Sequence, residues 1–127
     1  MTWQDWLLVS AGSIGCAVAV IHGVLTEKRL VRSATGSADR RLGPLTSTGK
    51  LVHVLLQFST FTWLSGGCLL IFAAFQLERD ARLVAILFVG LGYIYGAIGN
   101  FWATNGRHPG WVLLTLAAAL LAVAAIS

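Results

Sequence analysis

Three histidines, His22, His53 and His108, carry all the imidazole in this 127-residue chain. Imidazole is the commonest metal ligand and the side chain that titrates nearest neutral pH. With the carboxylate of Glu27 just beyond His22, the three form a candidate ligand set for Zn²⁺, Cu²⁺ or Fe²⁺. Two of them on facing helices would instead hold a haem iron axially, or relay protons. No spacing matches a motif such as H-E-x-x-H, so only the fold can bring these residues together. His22 and His53 are the better-matched pair. His108 lies in "NGRHPGW" (105–111), which reads first as a turn, with an imidazole that helps cap the helix after it.

Catalytic chemistry has little to build on. The sequence lacks a G-x-S-x-G elbow, a Walker loop and an acidic pair within an apolar run. Ser59, Thr60 and Ser65 fall where hydroxyls pack within helices. Cys16 and Cys68 lie inside apolar runs and form no C-x-x-C pair, so they read as small packing residues. The expectation is a non-enzymatic protein.

The elements that must position the histidines follow from composition. Hydrophobic residues make up 57% of the chain and charged residues 11%, with a mean hydropathy of +0.78. Soluble domains are about half apolar and about a quarter charged, so an integral membrane protein is expected. Apolar runs at 6–25, 51–75, 83–104 and 111–126 are too long for barrel strands and lack period-two alternation. Spans in hydrocarbon must satisfy their own backbone, which makes these helices. The expected fold is therefore all-α, a four-helix transmembrane bundle in a single domain, 1–127. The last run covers roughly 24 Å at about 1.5 Å per residue, short of a ~30 Å hydrocarbon core. The start, "MTWQDWLLVS", has no basic residue before its apolar run, so the first helix is expected to be retained rather than cleaved.

Charge sets the expected orientation. Lys28, Arg29, Arg32, Arg40, Arg41 and Lys50 fall in the 26–50 loop, and Arg107 shares their side in a four-span topology. Only Arg79 and Arg82 fall on the other side, near Asp5, Glu78 and Asp80. This bias places the basic loop in the cytoplasm and both termini outside it. The loop would attract anionic lipid headgroups, by about 1 kcal/mol per basic residue near the surface. Nothing in the pattern suggests nucleic acid as a partner.

That topology gathers all three histidines at the cytoplasmic boundary, with Gln57 and Asn100 extending a polar surface into the bundle. Gly15 lies on a small stripe with Ala11, Val18 and His22, and "GYIYG" sets Gly92 and Gly96 in a G-x-x-x-G pattern. These small faces predict close helix packing and self-association, or attachment to a larger membrane partner. The tryptophans 3, 6, 63, 102 and 111 include several near expected boundaries.

"FSTF" (58–61) resembles a phrase of the small four-helix fluoride channels. The glycine-rich start and charged first-helix end of that family are missing, and the charge bias opposes its dual topology. "IHGVLTEKRL", "GKLVHVLL" and "GRHPGWVLL" together resemble a family of short, uncharacterised four-helix bacterial membrane proteins. That resemblance implies a four-span fold and a bacterial inner membrane, with no activity or cofactor to transfer.

Overall fold

The computed structural model describes residues 1–35 and 47–127. Arg40 and Arg41 of the expected basic loop lie outside the described residues. Four helices follow in order: α1 (Trp3–Thr35), α2 (Ser47–Gln76), α3 (Arg79–Thr104) and α4 (Gly110–Ile126). The first three contain the segments Trp3–Lys28, Lys50–Gln76 and Arg79–Thr104, each long and apolar enough to cross a membrane. At 17 residues, α4 is apolar but shorter.

The helices outrun the apolar stretches that announce them. Hydropathy ends α1 at about residue 25, yet the backbone stays helical through the charged segment that follows, as far as Thr35. Glu, Lys, Arg and Leu are good helix formers, so the polar continuation costs the helix little. Part of the expected 26–50 loop is thus helix. At the other end of the chain, Pro109 sits at the N-cap of α4.

Within the bundle α1 packs on α2 and α4, and α3 packs on α4 and more loosely on α2. The core runs along the inner faces through Leu8 and Ala11 of α1, Leu70 of α2, Tyr93 of α3, and Leu114 and Leu121 of α4. Glycine sets the closest approach. A methyl group added at Gly12 would stand 2.6 Å from the Gly67 carbonyl oxygen, and one at Gly67 would stand 2.6 Å from that of Gly12. The α1 and α2 backbones therefore touch, as small residues permit. Across the diagonal, the Tyr93 hydroxyl lies directly against Gly15.

One end is fastened by polar groups. The Asp5 Oδ2 accepts from the Thr2 backbone N–H at 2.6 Å, and the Thr2 hydroxyl oxygen accepts from the Asp5 N–H at 3.3 Å. This reciprocal pair caps the free amides at the start of α1. The other carboxylate oxygen takes a 2.9 Å contact from the Arg82 guanidinium. Arg82 also donates to the Ala74 and Leu77 carbonyls, at 3.2 and 3.3 Å, where α2 runs out of its own donors. Gln4 donates to the Ala124 carbonyl at 3.3 Å and so ties α4 to the same end.

Candidate functional site: the histidine end and the open α2–α3 seam

At the opposite end the chain leaves α3 through a left-handed cap. Asn105 has φ 48° and Gly106 φ 71°, and the Gly106 N–H returns to the Phe101 carbonyl at 2.9 Å. This closes the last turn of α3 in the usual way for helix C-termini. Trp111 donates its indole N–H to the Gly106 carbonyl at 3.0 Å and meets Phe101 edge-on, with ring centroids 5.2 Å apart. The turn is thereby stapled to α4. His108 then starts the next helix: the Gly110 N–H donates to His108 Nδ1 at 3.0 Å. With Nδ1 accepting, the neutral ring carries its proton on Nε2.

Behind this turn lies a small cavity of about 20 Å³, bordered by His22, Trp63, Asn100, His108 and Gly110. That is room for about one water molecule. Asn100 holds its place by donating Nδ2–H to the Gly96 carbonyl at 3.0 Å, which leaves Oδ1 as an acceptor. Thr104 extends the chain of contacts, donating its hydroxyl to the Asn100 carbonyl at 2.6 Å. His22 stands edge-on to Trp63, with ring centroids 4.9 Å apart and planes at 72°. Its Nε2 is buried and has no hydrogen-bond partner among the described residues. An unpaired buried donor or acceptor costs about 1–3 kcal/mol, so this atom marks a place where a polar group would be stabilised.

The cavity backs onto an open cleft between α2 and α3. One compartment, of about 300 Å³, reaches His22 and Asn100 and is walled by Phe58, Trp63 and Tyr95. A second, of about 390 Å³, continues past Gly66 to Leu69, Phe88 and Leu91. The two meet at Thr62, Trp63 and Gly92. Thr62 and Ser65 turn their hydroxyls onto the carbonyls of Phe58 and Phe61, both at 2.8 Å, so the cleft walls are less polar than their sequence.

His22, His108 and Asn100 border one cavity, whereas His53 lines none of these three spaces. Gln57 and Glu27 pair with each other at 3.4 Å on the exposed side of α1 and α2. Among the described residues no group of three or more His, Cys, Asp or Glu side chains is placed to hold a metal ion. Gly15 and Gly96 sit at tight contacts, Gly96 beneath Trp63 and Leu114, while Gly92 faces the cleft with nothing within 4 Å.

Trp63 is the residue that sequence reasoning undervalued. Named only with the other tryptophans, it is 6% exposed and borders all three spaces. Its signal was present in its spacing, two helical turns before Leu70 on the buried face of α2. No family model, no curated protein and no solved structure matches the chain.

Proposed function

We propose that this chain is a small multi-pass protein of a bacterial inner membrane whose work is binding rather than catalysis. Its ligand seats where the α2–α3 cleft meets the histidine end. The observation that carries this reading is the buried Nε2 of His22, unpartnered among the described residues, on a ring that borders both the small cavity and the open cleft. Two imidazoles and a carboxamide converge there, one imidazole nitrogen already engaged by Gly110. That set falls short of the four ligands of a closed zinc site, which favours a hydrogen-bonded organic group over a transition metal or haem. Both termini would lie outside the cytoplasm, with the basic residues near Lys28 and Lys50 against anionic headgroups. Gentle extraction followed by mass spectrometry of the intact protein tests the reading. A small molecule retained by the native chain and lost from His22→Phe supports it; retention of none, or equal retention by both, refutes it.

A second reading is lateral association with another copy or a larger membrane partner. It is favoured by the outer surface of α3, where Tyr95 and Trp102 are each 82% exposed. Chemical crosslinking in native membranes distinguishes it, since a binding protein acting alone would stay monomeric.

A further inference from the structure

We propose that the α2–α3 cleft binds an isoprenoid quinone, with the head beside His22 and the chain running past Gly66 and Gly92 toward Leu69. The inference rests on the reading of the His22 end as a ligand site and adds the chemical class of the ligand.

Shape is the first argument. Each compartment falls in the range of about 300–1,000 Å³ typical of small-molecule sites, and the two meet end to end. An elongated cleft, open sideways along its length, suits a molecule that enters from the bilayer rather than from water. The two ends differ in free hydrogen-bonding capacity, because Thr62 and Ser65 spend their hydroxyls on their own helix. The end at His22 and Asn100 offers hydrogen-bonding groups, and the end at Leu69, Phe88 and Leu91 offers hydrocarbon. The occupant is therefore an amphiphile with its head at the histidine end.

Charge narrows the head. Among the described residues that border either compartment none is Lys, Arg, Asp or Glu. A phosphate or ammonium head would be desolvated there without a countercharge, which is strongly unfavourable. The head is thus neutral, and His22 Nε2 asks for a single hydrogen-bond partner. With the ring proton on Nε2 this atom would donate to a carbonyl oxygen, and with the proton on Nδ1 it would accept from a hydroxyl, so the oxidised and reduced forms of one redox ring both satisfy it. Ring geometry narrows it further. Phe58, Trp63 and Tyr95 wall the head compartment, and aromatic walls favour a flat conjugated ring through stacked or edge-on contacts. A planar neutral head with carbonyl acceptors on a long apolar chain is a quinone of the membrane pool.

The test uses the full chain in lipid nanodiscs, titrated with decylubiquinone, with the tailless benzoquinone head and with phosphatidylglycerol. Decylubiquinone is expected to bind saturably. His22→Phe keeps an aromatic ring against Trp63 but removes the donor, and should weaken binding by about tenfold, the effect of one lost buried hydrogen bond. Gly92→Leu fills the cleft where nothing stands within 4 Å. It should weaken the tailed quinone far more than the tailless head, and it keeps the test decisive even if His22→Phe does not fold. No saturable quinone binding, or binding indifferent to both variants, overturns the proposal. Retention of a phospholipid that depends on His22, without quinone binding, leaves the site standing and removes the quinone. If the native chain retains no small molecule at all, both fall. A change of oligomer size in Gly92→Leu without quinone binding assigns the cleft to a second copy and also overturns the proposal.

Discussion

Asp5 and Arg82 stand 77 positions apart in the chain, and their side chains meet at 2.9 Å across the end of the bundle. The contact joins the start of α1 to the α2–α3 turn, and each partner has a second task. Asp5 closes the cap on α1 with Thr2, and Arg82 covers the last carbonyls of α2. Both Asp5→Asn and Arg82→Gln should therefore lower the unfolding midpoint in detergent. The double variant should fall by less than the sum of the two single losses, since the shared contact is lost only once. Simple additivity of the two losses would show that the contact carries no coupling.

The inner diagonal of the bundle makes a second prediction. The Tyr93 hydroxyl is buried against Gly15 without a partner among the described residues. Removing a polar group that has no hydrogen bond relieves a desolvation cost, so Tyr93→Phe should be neutral or stabilising. Gly15→Ala should destabilise by about 1–3 kcal/mol, the usual cost of overpacking, and Tyr93→Phe should restore part of that loss. Steric denaturation of the two single variants and their double, monitored by helicity, reads this directly. A Tyr93→Phe protein clearly less stable than the native one would mean that the hydroxyl has a partner after all.

Much of this architecture was legible from periodicity and hydropathy, and the reasons for the rest are physical. Four apolar runs gave four helices, because a stretch that long and apolar has few other ways to satisfy its backbone. The same reasoning put Asp5 and Arg82 at one end of the molecule, but side alone does not pair them; that depends on helix rotation. His22 and His108 border a common cavity, whereas His53 borders none of the three spaces, a difference that spacing along the chain does not record. The tight Gly12–Gly67 crossing was hidden for a related reason. Neither glycine belongs to a G-x-x-x-G pair with the other, because the motif spans two helices and no single-sequence spacing records it.

Two glycines on α3 should respond oppositely to the same change. A side chain at Gly96 would collide with Trp63, whose Cζ2 lies 2.7 Å from the first added carbon. Gly96→Leu should destabilise by at least about 1–3 kcal/mol. Gly99 has nothing within 4 Å, so Gly99→Ala should be neutral or stabilise by up to about 1 kcal/mol through better helix propensity. Thermal unfolding of the two variants side by side provides the check. Equal losses at both positions would place Gly99 in a contact with a second molecule.

The topology proposal is testable at two exposed arginines. In a background with Cys16 and Cys68 replaced by Ser, Arg107→Cys is expected to be labelled only from the cytoplasmic side. Arg79→Cys, at the opposite end of α3, should be labelled by an impermeant reagent in intact cells. The reverse pattern would invert the bundle in the membrane and put the histidine end outside.

His108 brings the turn "NGRHPGW" to a decision between capping and ligand binding. Its Nδ1 accepts the Gly110 N–H at 3.0 Å, one of the free amides at the start of α4. A side-chain cap of this kind contributes about 0.5–2 kcal/mol, so His108→Ala should lower stability by that much. His108→Asn, whose carboxamide oxygen is also a short-range acceptor, should recover most of it. If His108 serves only the helix start, ligand retention should survive His108→Asn while disappearing in His22→Phe. If its Nε2 also reaches the ligand across the cavity it shares with His22, retention should weaken in His108→Asn even though stability is restored. The two readouts, unfolding midpoint and ligand retention, separate the roles because the cap uses one ring nitrogen and the ligand would use the other.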